Sequence, residues 1–175
     1  MSQKQRKEIF LHPGEWFFGG AETVVSTLLG SCVAIILWHP ELKIGGMCHY
    51  LLASRGKHPG RGLSGRYGDE AMLLLLQQVL ASERELREFR VKLIGAATTL
   101  LPQEGERSSN DVATRNAAMA RLLARQLGLL VQVEELGGNK PRMVVFDVQT
   151  GDVWVRLIQD NMLSETQANK SGNKT

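Results

Sequence analysis

The sequence predicts an α+β fold, a layered sandwich of mixed β-sheets with two main helices. Short runs rich in β-branched residues occur in both halves of the chain and are typical of strands. Only two longer segments carry apolar residues at helical spacing. The resulting order of strands, helix, strand, helix and strands differs from the regular alternation that builds a parallel sheet.

The first third of the chain is predicted to be rich in strands. Residues 1–8 are polar and basic, and we expect a disordered leader there. Two short apolar pieces follow, at 9–11 and 16–18. Three longer apolar or β-branched runs predict strands at 23–28, 33–38 and 43–52. The second of these is apolar on both faces, which favours a central position, and Gly45-Gly46 indicates a bulge or a close backbone approach.

A glycine-rich loop is predicted over residues 53–68, followed by the first helix. The loop carries basic residues with no acid among them, namely Arg55, Lys57, Arg61 and Arg66. Such a cluster is either a solvated loop or a contact for an acidic partner. Asp69 can cap a helix that runs to about Phe89, because apolar residues recur at helical spacing after it.

The rest of the chain is predicted to hold one more helix and four strands. A strand at 91–97 precedes a polar loop at 101–110, and a helix then runs from Ser109 or Asn110 to Leu127. Three strands follow at 129–136, 143–148 and 153–158. We therefore expect a single domain over residues 9–158 and a disordered tail over 159–175.

Composition excludes several classes of function. The 175 residues are 43% hydrophobic and 22% charged, as in ordinary globular proteins. No apolar run approaches the ~20 residues that span a bilayer, so we expect a cytoplasmic protein without membrane insertion. Net charge is +3 and lies mostly in residues 1–8, which argues against a nucleic-acid partner. Glycine-rich nucleotide motifs are absent, and no cofactor is predicted.

Two residue types suggest nucleophilic chemistry. Cys32 follows a Gly-Ser turn at the start of a predicted strand, and His49 ends the next apolar run. A thiol beside an imidazole is the minimum for attack on a carbonyl carbon. The alternatives are a small buried cysteine and a half-buried structural histidine. Cys48 adjoins His49 in a strand, so it should point to the opposite face, toward the core.

A metal site is not predicted. Cys32 and Cys48 lack the C-x-x-C spacing of zinc sites. The remaining histidines lie beside proline or in glycine-rich stretches, which is typical of loops: His12, His39 and His58.

The order of several short motifs resembles the chemoreceptor glutamine deamidases, the CheD family of bacterial chemotaxis. The most specific are L-G-S-C at 29–32 and G-G-M-C-H-Y at 45–50. Weaker ones are H-P-G-E at 12–15, T-R-N at 114–116, and G-G-N at 137–139 with Arg142. Together the motifs extend over residues 9–157, nearly the whole chain.

The resemblance implies a CheD-like cysteine hydrolase fold and a protein-glutamine glutaminase. Its reaction is hydrolytic deamidation of glutamine to glutamate on chemoreceptor cytoplasmic domains. Cys32 would be the nucleophile and His49 the base. An imidazolium at His49 would favour the thiolate, and the backbone N–H groups of Ser31 and Cys32 would stabilise the oxyanion.

Other site residues are less sharply defined. The family has a threonine six positions before the cysteine, where this chain has Ser26 followed by Thr27. Either hydroxyl could orient His49, but alternation along a strand allows only one to face it. Asn139 and Arg142 would bind substrate or build a turn. Arg115 and Asn116, on the second helix, would contact substrate or hydrogen-bond to a loop.

The sequence is also compatible with two other functions. The chain could be a non-catalytic adaptor that binds receptors or a CheC-type phosphatase, which the resemblance suggests as a partner. It could also be an unrelated cysteine hydrolase or transamidase with the same pair of groups. Hydrolysis of receptor methyl esters is a further activity that the resemblance implies.

Overall fold

The computed structural model describes residues 5–57, 60–98 and 109–159, of which 109–111 by their backbone only. The described residues form nine strands, two α-helices and one short 3₁₀-helix at Leu86–Glu88. The strands are β1 Lys7–Leu11, β2 Trp16–Gly20, β3 Thr23–Leu29, β4 Val33–His39, β5 Ile44–Cys48, β6 Arg90–Gly95, β7 Leu130–Leu136, β8 Arg142–Asp147 and β9 Val153–Leu157. The helices are α1 Gly68–Ala81 and α2 Ser109–Leu127.

The strands form two mixed sheets, which confirms the predicted α+β sandwich. One sheet has the order β1-β3-β8-β9 and the other β2-β5-β4-β6-β7. Within them, β1 runs parallel to β3 and β6 runs parallel to β7, while the other pairs are antiparallel.

Two hydrophobic cores define three layers. One core joins both α-helices to one face of the five-stranded sheet, through residues such as Leu75, Leu93 and Ala120. The other joins the two sheets, through residues such as Val25, Ile36 and Phe146. The five-stranded sheet is therefore the middle layer, and β4 is central in it, as its apolar sequence predicts.

Gly45 and Gly46 mark a close approach of backbone, and the ladders on both sides of β5 keep a regular register. A Cβ at Gly45 would lie 2.4 Å from the Leu37 carbonyl oxygen and 3.0 Å from Phe146. A Cβ at Gly46 would lie 2.6 Å from the Phe17 carbonyl oxygen and 3.0 Å from Leu75. The two glycines thus bring the middle layer close to both of its neighbours.

The first helix differs from its prediction at both ends. It begins at Gly68 with Tyr67 as N-cap, and it ends at Ala81 rather than near Phe89. The chain stops being helical because Glu83 adopts a left-handed conformation, φ 57°, which a helix cannot contain. The Ser82 hydroxyl also donates to the Val79 carbonyl at 2.6 Å, which closes the last turn.

Two other expectations change. His39 is not a loop residue: it is the last residue of β4, is 4% exposed and packs edge-on against Phe89. Strand β1 begins at Lys7, inside the expected leader, because its backbone pairs with β3 from Lys7 onward. The expected loop residue His58, the polar loop at 101–108 and the tail from 160 onward lie outside the described residues.

The basic loop is anchored internally. Arg55 donates two hydrogen bonds of 2.8 Å to the Glu70 carboxylate and stacks over Tyr67. Its charge is therefore partly compensated within the chain. Among the helices described, none combines the length and hydropathy that crossing a bilayer requires.

Candidate active site

Cys32 lies in the bend between β3 and β4, at one end of the sandwich. Strand β3 ends at Leu29, the chain bends at Gly30 and Ser31, and β4 begins at Val33. The Cys32 side chain is partly buried and packs against the core between the two sheets. The nucleophile candidate is thus at the edge of that core, where the strands begin and end.

The strand register brings Cys32 and His49 to the same face of the middle sheet. Val33 pairs with Tyr50 and Ile36 with Met47, which places His49 opposite Ala34. Cys32 precedes the last pair of this ladder by one residue, and strand alternation puts its side chain on the same face as Ala34 and His49. The two side chains are therefore neighbours at this end of the middle sheet.

Cys48 points the other way, as predicted from alternation. It is fully buried in the core between the middle sheet and the helices. Burial raises the pKa of its thiol to about 12, so it stays protonated at neutral pH.

Thr27 holds the imidazole of His49 in one tautomer. The Thr27 hydroxyl donates to the Leu11 carbonyl oxygen at 2.7 Å, and its Oγ1 lies 2.6 Å from His49 Nδ1. Because the single hydroxyl hydrogen goes to Leu11, Nδ1 must carry the proton and donate to Oγ1. His49 Nε2 then has a free lone pair, and it is buried without a partner among the described residues.

Ser26 lies on the opposite face of β3. Burial alternates along the strand, with Thr23, Val25, Thr27 and Leu29 facing the inter-sheet core. Of the two candidate hydroxyls, only that of Thr27 therefore contacts His49.

Burial favours the neutral forms of both reactive groups. It lowers the pKa of His49 to about 4, although the nearby Glu15 carboxylate acts in the other direction. It also raises the pKa of the Cys32 thiol. At neutral pH the resting site thus holds a thiol and a neutral imidazole, in contrast to the expected imidazolium and thiolate.

The backbone of the Cys32 bend has its carbonyl oxygens occupied. The Gly30 oxygen accepts from Ala97 N at 2.9 Å, and the Cys32 oxygen accepts from Ala96 N at 2.8 Å. The Ser31 oxygen accepts from Asn116 Nδ2 at 3.0 Å. By contrast, the N–H groups of Ser31 and Cys32 have no acceptor within the part of the chain that the structure describes. Free N–H groups beside a nucleophile are what an oxyanion hole requires.

Gly95 packs against this bend from β6. A Cβ there would lie 2.3 Å from the Cys32 carbonyl oxygen, and the residue has φ +128°. Only glycine therefore fits at this position without displacing the bend.

Helix α2 reaches the site through Asn116, which is fully buried. Its Nδ2 also donates to the Leu51 carbonyl at 2.8 Å, and the backbone carbonyl oxygen of Asn116 accepts from the Tyr50 hydroxyl at 2.6 Å. The sequence allows Asn116 either a loop contact or a substrate contact. The geometry favours the loop contact.

Asn139 lies in the turn before β8, and Arg142 is the first residue of that strand. Arg142 is 3% exposed, and its guanidinium donates to the carbonyls of Glu135 and Gly137. Its bonds build the turn, whereas Asn139 is exposed and lines a cavity of about 270 Å³ beside it. A substrate contact by either residue stays a prediction.

Several functional contacts carry no signal in the sequence. The Leu11 carbonyl and the N–H groups of Ala96 and Ala97 are backbone atoms, which any residue type could supply. Among the described residues, no three His, Cys, Asp or Glu side chains come together as a set of metal ligands.

Comparison with known proteins gives a consistent family. A family model described as CheD chemotactic sensory transduction matches residues 51–157. A protein of Chromobacterium violaceum named probable chemoreceptor glutamine deamidase CheD 1 is 56% identical over 90% of this chain and 81% of its own. Similar relatives occur in Dechloromonas aromatica, 45% identical over 87% of this chain and 88% of its own, and Pseudomonas syringae pv. tomato, 40% identical over 85% and 88%.

Proposed function

The chain belongs to the CheD family, and on this basis we propose that it hydrolyses glutamine side chains of bacterial chemoreceptors to glutamate. The names of its relatives support this substrate and reaction. The observation that carries the mechanism is the buried His49 whose Nδ1 is bonded to Thr27 and whose Nε2 is free. Cys32 acts as nucleophile and His49 as general base.

The first step starts from neutral groups. Nε2 of His49 takes the proton of the Cys32 thiol as the sulfur attacks the amide carbon of the substrate. A bond forms between sulfur and carbon, and the π electrons of the carbonyl move to its oxygen. The N–H groups of Cys32 and Ser31 are the available donors for that oxyanion, and losing one such donor typically costs ~3 kcal/mol.

The second step releases ammonia. The imidazolium of His49 returns the proton from Nε2 to the amide nitrogen, and the carbon–nitrogen bond breaks as the carbonyl re-forms. A thioester on Cys32 remains. Water then attacks its carbonyl carbon while Nε2 accepts a proton. The carbon–sulfur bond breaks as Nε2 returns that proton to the sulfur, and the new carboxyl group loses its proton to solvent, which gives glutamate, the free thiol and the neutral imidazole.

Thr27 orients the base in each step. Its hydroxyl cannot turn away without losing the Leu11 carbonyl, so it keeps accepting from Nδ1–H and keeps the lone pair on Nε2. When His49 becomes positively charged, the hydrogen bond from Nδ1 to Oγ1 strengthens, which stabilises the intermediate.

The proposal is tested on a purified receptor cytoplasmic domain. Incubation with the protein should convert specific glutamines to glutamates, which mass spectrometry of peptides detects. Cys32→Ala should abolish the conversion, and Cys48→Ala is the matched control that should retain it. A receptor whose glutamines stay unchanged, while Cys32→Ala still forms a complex with it, would favour the adaptor function.

Thiol alkylation provides a second test. Iodoacetamide should label Cys32 faster than Cys48, because Cys48 is fully buried and its pKa is raised to about 12. Equal or reversed labelling rates would contradict the assigned roles.

Partners and location form part of the same proposal. The cytoplasmic domains of chemoreceptors are the substrate, so the protein acts in the cytoplasm. The predicted single domain over residues 9–158 then also includes the start of β1 at Lys7. A CheC-type phosphatase is a further predicted partner, and co-purification from the native cell tests it. Receptor glutamyl methyl esters are chemically easier substrates for the same acyl-enzyme and can be assayed alongside.

A further inference from the structure

Asn116 bridges the two chain segments that carry the nucleophile and the base. Its Nδ2 donates to the carbonyl of Ser31 at 3.0 Å and to that of Leu51 at 2.8 Å. Because carbonyl oxygens only accept, these partners fix which end of the amide faces them. Both hydrogens of the NH₂ group are thus used next to the site.

The bridge lies where the β-ladder between these segments ends. Val33 and Tyr50 form its last pair, with N···O distances of 3.2 and 3.0 Å. Beyond it, the N–H groups of Leu51 and Leu52 donate to the Arg66 carbonyl instead of to the Cys32 segment. A side chain from α2 therefore replaces the missing ladder bond.

Orientation of one peptide group follows from this contact. The Ser31 carbonyl and the Cys32 N–H belong to the same peptide, and the described residues contain no cis peptide bond. In a trans peptide the C=O and N–H point in opposite directions. As long as Asn116 holds the carbonyl toward α2, the Cys32 N–H points away from α2.

We propose that Asn116 is a positioning residue that holds the Cys32 N–H in the orientation of an oxyanion donor. The inference rests on the proposed function, because an oxyanion arises only when Cys32 attacks a carbonyl carbon. It assigns Asn116 a role in stabilising the transition state without contact to the substrate.

The unbalanced hydrogen bonding of Asn116 supports a role beyond stability. Its Oδ1 is buried and has no partner among the described residues, so folding removes its hydration without providing a hydrogen bond in exchange. An apolar side chain would avoid that cost, but it could not hold the Ser31 carbonyl.

The test compares two reactions of Cys32 in one protein. With p-nitrophenyl acetate, the sulfur bonds to the ester carbon through a tetrahedral oxyanion, and p-nitrophenolate leaves with the electron pair of the broken bond. With iodoacetamide, the sulfur displaces iodide at a saturated carbon, and no oxyanion forms. Both rates are measured at Cys32 by mass spectrometry, with Cys32→Ala as background.

Asn116→Ala should lower the acylation rate by roughly 10²-fold, the effect typical of losing one oxyanion donor. Its alkylation rate should change little. The matched control is Tyr50→Phe, which removes the hydroxyl bonded to the backbone carbonyl of Asn116. Tyr50→Phe disturbs the same junction between α2 and the strands without touching the Ser31 carbonyl. Its ratio of acylation rate to alkylation rate should therefore equal that of wild type.

A purely structural role would lower both rates of Asn116→Ala by the same factor, and that result, or an unchanged acylation rate, overturns the inference. If Asn116→Ala does not fold, the ratio of acylation rate to alkylation rate is measured for Asn116→Ser instead. Neither reaction involves a receptor, so failure of the inference is distinct from failure of wild type to deamidate one.

Discussion

At the scale of residues, the candidate site is a set of neutral groups whose hydrogen bonds determine which atom can react. The Thr27 hydroxyl links the Leu11 carbonyl to His49 Nδ1. This leaves Nε2 as the one basic position on the ring. Catalysis by such a pair depends on proton transfer during attack, and no preformed thiolate is needed.

The pH dependence of deamidation should reflect the buried imidazole. Burial lowers the pKa of His49 to about 4, whereas an ordinary histidine has a pKa of about 6.5. A protonated Nε2 cannot accept the thiol proton, so activity is lost as pH falls through about 4. We expect kcat/KM to hold its value between pH 6.5 and about 5.

The control for this profile is stability. In the unfolded chain His49 takes up its proton near pH 6.5, so the free energy of unfolding decreases as pH falls from there toward 4. Circular dichroism at each pH separates unfolding from loss of the base. An acid limb centred between pH 6 and 7 in a folded protein would contradict the neutral-pair mechanism.

Thr27→Val should lower kcat by roughly 10²-fold, part of the contribution typical of a well-placed general base. The substitution keeps the shape of the side chain but removes the hydroxyl that fixes the tautomer of His49. Ser26→Ala is the matched control, because Ser26 lies on the other face of β3. Equal losses in the two variants, measured on a receptor fragment, would refute the assignment.

The residue types suited to the proposed chemistry could be recognised in the sequence, whereas their contacts could not. Strand alternation predicts correctly that Cys48 and His49 face opposite sides. The partners of Asn116 lie 85 and 65 residues away along the chain. No local pattern encodes a contact of that separation.

Among the secondary-structure elements, the sequence predicts the strand positions more accurately than the ends of the helices or the pairing of the strands. Apolar and β-branched runs locate β3 and β4 to within a residue. The charged segment after α1 keeps a helix-like pattern, yet the left-handed Glu83 ends the helix there. The parallel pairing of β1 with β3 arises from long-range packing, which short patterns do not contain.

Gly95→Ala should both destabilise the protein and slow alkylation of Cys32. The new Cβ would lie 2.3 Å from the Cys32 carbonyl oxygen, so β6 and the bend must move apart. Gly128→Ala is the control: it also has positive φ, +61°, but open space around it, and should cost only the conformational strain of about 1–2 kcal/mol. Thermal unfolding measures stability, and the rate of Cys32 alkylation is measured in the same two variants. Equal unfolding temperatures and equal alkylation rates would contradict the prediction.

For the molecule as a whole, the middle sheet is the layer that packs against the helices on one face and against the four-stranded sheet on the other. Both of its faces are buried along β4, and the site lies at its end. Gly45 and Gly46 set its distance to both neighbouring layers. A larger side chain at either position would therefore push the middle sheet away from its neighbouring layers and destabilise the whole fold.

Gly46→Ala should lower the free energy of unfolding by about 1–3 kcal/mol, as expected when atoms are added to a close-packed core. The added methyl would meet the Phe17 carbonyl oxygen at 2.6 Å and Leu75 at 3.0 Å. Gly20→Ala is the control from the same sheet, because its methyl would meet only the end of the flexible Glu22 side chain. Urea titration of both variants measures the difference, and equal midpoints would argue against close layer packing.

The position of strand β1 limits where a fusion can be attached to this protein. Its last residue supplies the carbonyl that holds Thr27, and among the described strands β1 lies at the edge of its sheet, next to β3. A slip of one residue would exchange that carbonyl for another backbone group. An affinity tag or protease scar fused directly ahead of Lys7 would thus act on His49 through Leu11 and Thr27.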